Sequence, residues 1–386
     1  MKHYKNLFEQ IISTENLILA HQKASKGKRY YTAVKKVDRN LSYYIDLLRY
    51  MLKNKTYIIQ PEDYKYELIN DKGKERDLYK LNFFPHRIIQ WAIINVLQDK
   101  IIKSLTKDTY ASLPSRGIHK LKRNLEKALK DVENTKYCLK IDIKKFYPNI
   151  DNKILFSMLD KKFHRDKDLM WLLGVIIFSR GDKGQPIGSL TSQYFANFYL
   201  SEMTHYLKEK EHIKYMFLYM DDIVFLHKSK KYLHKLKLFL DKYLEDNLKL
   251  KIKENWQVFP VATRGIDYVG YRFFRGYTIL RKSIYKNAKK SFENNSKNKM
   301  SYYGWCKYAN VGNFVSKYNL DKKSIEERKL INYKIKMMNK HNILLKDVGV
   351  KILDDLINEK GSYPFKSNLQ LKVYIELKTK KNNFLM

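Results

Sequence analysis

FLYMDDIVF, residues 217–225, is the stretch on which the fold turns. Phe217, Leu218 and Tyr219 on one side and Ile223, Val224 and Phe225 on the other are strand formers. The stretch is therefore expected to form two β arms meeting at Met220–Asp221–Asp222. Asp is a common turn residue, and a solvated tip is the plain explanation. It accounts poorly for two adjacent like charges between apolar arms that lack Gly or Asn at the bend. A cation would remove the repulsion. Hard divalent ions such as Mg²⁺ take carboxylate oxygens together with substrate phosphates.

Such a site needs an acid from elsewhere in the chain, and CLKIDIKKFYPNID (138–151) supplies Asp142. Asp142 stands between Ile141 and Ile143 in a strand-like run, where a buried unpaired carboxylate would cost several kcal/mol. A surface strand with Asp142 facing water is the alternative. With strand 138–143 beside hairpin 215–226, Asp142 and Asp221 could share two Mg²⁺ ions, the arrangement that activates a primer 3′-hydroxyl and stabilises leaving pyrophosphate. Between them lies GDKGQPIGSLTSQYFANFYL (181–200). There Gly188 permits close backbone approach, and Ser192 and Ala196 keep one helical face shallow enough for a base pair. A glycine loop with a helix packed through small residues is the simpler reading.

Composition points to nucleic acid. The 386 residues hold 77 Lys and Arg against 40 Asp and Glu, a net charge of +37, with 31 Tyr and 19 Phe interleaved. Cations beside stackable rings suit single-stranded nucleic acid. A hydrophobic content of 44% excludes a solvated tail and allows two or three lobes. Cys138 and Cys306, without a CxxC, exclude a disulfide framework and a structural zinc. The N-terminus MKHYKNLFEQ lacks an apolar signal region, and WLLGVIIF (171–178) is far short of a membrane span. A cytoplasmic protein with no membrane partner is expected.

Periodicity predicts helices through residues 1–55, around the basic turn 23–36, and a hairpin over 61–83 turned at Asp71–Gly73. Helices are expected over 85–102 and 117–132, a strand over 137–143, and a helix after Asp151 as N-cap. One long helix (189–209), a hairpin around 217–225, a Lys-rich helix (230–246), short strands in WQVFPV and DYVGYRFF, and mostly helical, basic sequence over 281–386 complete the chain. The order across 137–274 predicts an α+β layer, an antiparallel sheet with helices on one face.

IDIKKFYPNID, PIGSLTSQYFANFYL and FLYMDDIVF together resemble the A, B and C motifs of a reverse transcriptase palm, in the same order and at similar separations. KERDLYKLNFFPHRIIQWAI resembles the fingers segment that grips the incoming triphosphate, here through Lys74 and Arg76. LKLKIKENWQ resembles motif D, with Lys253 as proton donor to pyrophosphate. DYVGYRFF resembles the primer grip, Tyr268 to Tyr271, and SYYGWCKYAN (301–310) the thumb of bacterial members.

The resemblance implies a right-hand polymerase of the α+β class. N-terminal helices and fingers would occupy 1–136, and a palm 137–275 with a fingers-type helical insert near 152–185. A helical, basic thumb with a C-terminal extension would occupy 276–386. It implies Asp142, Asp221 and Asp222 as ligands of two Mg²⁺ ions, with Mn²⁺ able to substitute, and Lys253 in catalysis. Lys74 and Arg76 would neutralise the triphosphate. The Tyr147 ring would select deoxynucleotides by clashing with a 2′-hydroxyl, and Gly188 and Gln193 would line the nascent pair. Met220, Tyr268, Gly270, Tyr271 and Arg116 would contact primer and template, and the run 281–290 the nucleic-acid backbone.

Ile187 before Gly188, followed by Ser192–Gln193, gives an IGxxxSQ form similar to the enzymes of diversity-generating retroelements. Unassigned bacterial and antiphage-defence reverse transcriptases carry similar motifs. The implied function is RNA-directed DNA synthesis from dNTPs on a DNA primer strand. Its template would be a structured cognate RNA, with an accessory protein or second reverse transcriptase as companion. The alternatives are an RNA-dependent RNA polymerase, opposed by Tyr147 and Met220, and a retired RNA-binding scaffold, opposed by the three intact acids. Residues 315–386 show no nuclease signature and read as a thumb extension or docking surface.

Overall fold

The computed structural model describes residues 4–71, 74–294 and 298–318. The chain divides into two compact units, Met1–Thr278 and Ile279–Met386. Expectations for 319–386, and for the hairpin tip at 72–73, fall outside the described residues.

The first unit is an α+β assembly. Strands β1 (Tyr64–Asp71) and β2 (Lys74–Leu81) form an antiparallel hairpin. Strands β3 (Tyr137–Asp142), β4 (Tyr215–Tyr219), β5 (Asp222–His227) and β6 (Gln257–Pro260) form one antiparallel sheet in the order β4-β5-β3-β6. Strand β7 (Ile266–Tyr268) pairs with β8 (Tyr271–Phe273). In the central strand, Cys138, Leu139 and Ile141 are buried, so apolar packing covers both faces of the sheet. Registry follows from that packing, since a slip of one residue would turn every buried side chain to the wrong face. Leu139 lies opposite Phe225, Ile141 opposite Ile223, and Asp142 opposite Asp222.

Helix Lys230–Leu248 packs on β3, β5 and β6. Its Leu233, Leu236, Leu240, Leu244 and Leu248 recur at helical spacing and are buried, and Ser229 caps its start by accepting from Tyr232 N at 3.2 Å. Asp151 caps helix Asn152–Phe163 as expected, accepting from the amides of Lys153 and Ile154. The single helix expected over 189–209 is two, Leu190–Tyr199 and Ser201–Glu209. At the junction Ser201 Oγ donates to Phe198 O at 2.6 Å and Thr204 Oγ1 to Ser201 O at 2.9 Å. Such hydroxyl back-bonding competes with the backbone ladder and bends helices.

In the second unit, helix Lys282–Glu293 buries Ile284, Ala288 and Ser291 on one stripe and leaves Lys282, Lys286, Lys289 and Lys290 exposed. Phe314 packs against Tyr285, Phe292 and Tyr318.

Within the first unit, Asp166 ties helix Leu7–Ile12 to helix Lys167–Ile177. Its side chain accepts from Leu7 N at 2.7 Å, Phe8 N at 3.0 Å and Leu169 N at 3.1 Å while 7% exposed. Asp166→Ala leaves three buried amides unpaired and should lower the unfolding free energy by about 2–3 kcal/mol. Chemical denaturation checks this; an unchanged midpoint would contradict the tether.

Candidate active site

Tyr219 pairs with Asp222, so the β4–β5 loop contains only Met220 and Asp221. Two-residue hairpin loops need positive φ at their first position, and Met220 adopts φ +55°. For a residue with a Cβ this costs about 1–2 kcal/mol. The bend is held from several sides. Tyr147 Oη donates to Met220 Sδ at 3.7 Å, and Ile143 N donates to Asp221 O at 3.0 Å. Tyr268 Oη lies 2.8 Å from the carbonyl oxygens of both Phe217 and Asp222.

Cross-strand partners share a face, so the Asp142–Asp222 pairing brings two carboxylates to one side of the sheet. Asp221 follows on the turn. Burial, and next the negative charge of Asp142, push its carboxyl above the usual range, while Lys253 and Arg76 pull the other way. Lys253 forms an ion pair with Asp142, and its amide donates to Asp142 O at 2.8 Å. Lys140 Nζ stands 3.6 Å from Asp222 Oδ2. Acids and cations thus interleave around the turn.

The glycine loop lies beside the β1–β2 hairpin. Tyr79 N donates to Ile187 O at 2.9 Å and Arg87 to Gly188 O at 3.1 Å. Gly188 adopts φ +106°, and a Cβ there would meet Leu78 Cδ1 at 2.9 Å and Tyr79 O at 3.1 Å. Only glycine fits. The loop is braced from below by Gln185, whose amide donates to Tyr147 O at 2.9 Å and whose side chain donates to Asn152 Oδ1 at 2.8 Å. Helix Leu190–Tyr199 then buries all but Leu190 and Gln193, leaving Gln193 half-buried.

The sequence model of the reverse transcriptases (RNA-dependent DNA polymerases) matches residues 69–273, more than half of the chain, and includes Asp142, Gly188, Asp221, Asp222 and Lys253. The chain belongs to that family. Members of this family are described as RNA-dependent DNA polymerases. Its fold is similar to solved telomerases. One from Candida tropicalis, in complex with a TWJ fragment of telomeric RNA, has a TM-score of 0.42 at 14% identity, covering 65% of this chain and 52% of that one. Another from Candida albicans, with the same type of RNA fragment, has a TM-score of 0.45 at 12% identity, covering 72% and 57%. The chain spans little more than half the length of these telomerases. No curated protein matches it in sequence.

Reverse transcriptases generally use divalent metal ions. Among the described residues no three His, Cys, Asp or Glu side chains form a ready cage for one. The turn fits a different arrangement. Its carboxylates supply hard oxygen donors, burial and Asp142 disfavour the ionised form of Asp221, and ammonium groups stand beside Asp142 and Asp222. Ions of the Mg²⁺ type are held by one or two carboxylates and completed by substrate phosphates and water.

Arg76 is exposed on β2 and close enough to lower the Asp221 pKa. Lys74 begins the same strand, but its side chain lies outside the described residues. Tyr147 is half-buried beside Asp221, and burial pushes its hydroxyl pKa well up. Tyr268 and Tyr271 have 0% exposure, so their rings anchor the β7–β8 turn and leave Val269 as its half-exposed side chain. The Arg116 guanidinium donates at 2.7 Å to the carbonyls of both Thr106 and Thr109, an internal use of donors expected on template phosphate. Lys140 and Arg87 were not anticipated. The signal for Lys140 was its position two residues before Asp142, on the same strand face. Among the described residues no helix is long and apolar enough to cross a membrane.

Gly188→Ala should lower the unfolding free energy by about 1–3 kcal/mol through backbone strain, and should also impair nucleotide incorporation. Denaturation and primer extension read the two effects. A variant normal in both would contradict the close hairpin–loop contact.

Proposed function

We propose that this reverse transcriptase copies a structured cognate RNA into cDNA by two-metal nucleotidyl transfer. The observation that carries the reading is the registry of Asp142 with Asp222 and the adjacent Asp221 on a strained turn. Asp142 and Asp221 would hold two Mg²⁺ ions, with Asp222 as supporting acid and Mn²⁺ able to substitute. The bound ions would supply activation of the primer 3′-hydroxyl and charge neutralisation at the leaving pyrophosphate. Lys74 and Arg76 would neutralise the incoming triphosphate. Lys253, released from Asp142, would carry a proton towards pyrophosphate. Tyr147 would exclude a 2′-hydroxyl, Gly188 and Gln193 would border the nascent pair, and Met220 would reach the primer end.

Fingers would occupy 1–136, a palm 137–275 and a thumb 276–386. Primer and template would meet the β7–β8 turn, and the basic helix Lys282–Glu293 would offer its exposed lysines to the nucleic-acid backbone. The net charge of +37 supports a long nucleic-acid contact. The IGxxxSQ form favours a diversity-generating retroelement or an antiphage defence system, with an accessory protein or second reverse transcriptase as companion.

Asp221→Asn should abolish extension of a primed RNA with dNTPs. In metal-free protein it should also raise stability, because a buried carboxylate next to Asp142 is removed. The sign follows from the raised pKa: the ionised form is disfavoured in the folded state, so this cost applies at neutral pH and fades as pH falls through the folded pKa. Retained synthesis, or a destabilised variant, would contradict the proposed role. Tyr147→Ala should increase ribonucleotide incorporation relative to deoxynucleotide. Competition assays with paired rNTPs and dNTPs measure this, and unchanged sugar selection would remove Tyr147 from the role.

A further inference from the structure

The β1–β2 hairpin has two chemically different faces. Strand alternation and the pairing of Tyr66 with Tyr79, and of Ile69 with Arg76, put Arg76 and Leu78 on the face towards Asp221 and Gly188. Tyr64, Tyr66 and Tyr79 share the opposite face. There, with Pro61, Ser179, Arg180 and Gly181, they line a cavity of about 440 Å³. Tyr79 lies edge-on to Tyr64 at 6.2 Å and tilted against Tyr66 at 5.5 Å. The Arg180 guanidinium sits 3.5 Å from the Tyr79 ring centroid, and Ser179 Oγ is 2.7 Å from Tyr64 Oη.

These rings are not simply core. Tyr66 is 57% exposed, its neighbour along the face Leu68 is 52% exposed, and Arg180 is exposed as well. Tyr66 is fixed in place by donating to Asp77 Oδ1 at 2.8 Å, so an accessible aromatic surface is held rigid. Stacked guanidinium and phenol planes offer flat faces to a third planar group. The local charge is mixed. Asp77 accepts from Tyr66, and Arg180, the charged side chain of the lining, lies over the Tyr79 ring, so the cavity offers planar faces more than phosphate-directed cations.

We propose that this cavity binds an unpaired nucleobase of a single-stranded nucleic acid, stacked against Tyr66 and the Arg180–Tyr79 pair. The occupant would be a stretch of strand lying outside the copying site, across the thickness of the hairpin from Asp221. The proposal requires the chain to hold a strand and does not require it to polymerise.

Fluorescence anisotropy with a labelled single-stranded RNA, without dNTPs or divalent ions, keeps this test separate from catalysis. Tyr66→Ala and Arg180→Ala should each weaken binding about ten-fold or more, the scale of one lost base stack. Tyr66→Phe, which keeps the ring, should bind like the wild type. An abasic phosphodiester strand of equal length should bind equally to all four proteins. Free AMP, added as competitor, should leave the RNA bound. Unchanged RNA binding by both alanine variants overturns the proposal, as do equal losses on the abasic strand. Displacement of RNA by AMP overturns the strand assignment in favour of a mononucleotide site. Melting temperatures matching the wild type show that each variant is folded.

Discussion

The pairing of β3 with β5 is the constraint from which the rest of the site follows. It brings Asp142 opposite Asp222, and like charges directly opposite on neighbouring strands are destabilising. The same ladder buries Leu139, Ile141, Ile223 and Phe225, each contributing about 1.5–3 kcal/mol. Core packing therefore holds in place a charge arrangement that the strands alone would avoid. Lys253 and Lys140 answer two of the acids, and Asp221 keeps a raised pKa. Apolar packing thus maintains an electrostatic cost at this turn, a pattern that clusters at functional sites.

A second constraint is steric. The bare backbone of Gly188 lets β2 approach until Tyr79 N reaches Ile187 O, and Arg87 closes the contact from the other side. That approach carries Arg76 within electrostatic range of Asp221. The hairpin thus has two different faces: Arg76 stands on the one towards Asp221, while Tyr64, Tyr66 and Tyr79 share the other, which we propose takes an unpaired strand.

Features set by local chemistry were legible in the sequence: the two arms of FLYMDDIVF, the strand bearing Asp142, the Asp151 cap and the α+β order. Each depends on residues a few positions apart. What escaped depends on distant contacts. The break at Leu200 comes from Ser201 and Thr204 hydroxyls that choose carbonyls of their own helix. Gly188 could be read as a point of close backbone approach, but not its partners, Leu78 and Tyr79, more than a hundred residues earlier. Burial of Tyr268 and Tyr271 depends on where β7 and β8 meet the main sheet, and aromatic residues in a short strand do not declare whether they face a ligand or a core. The Arg116 carbonyl contacts were likewise invisible, since a basic residue beside a glycine reads the same whether its partner is phosphate or backbone.

The most direct measurement is a Mn²⁺ titration followed by electron paramagnetic resonance, using the chain with primed RNA and a non-hydrolysable dNTP. The account predicts Mn²⁺ bound by the wild type, lost in Asp142→Asn, and tighter in Lys253→Ala, where no ammonium competes for the carboxylate. Equal Mn²⁺ binding by wild type and Asp142→Asn would contradict it, because the registry of β3 and β5 would then serve no metal.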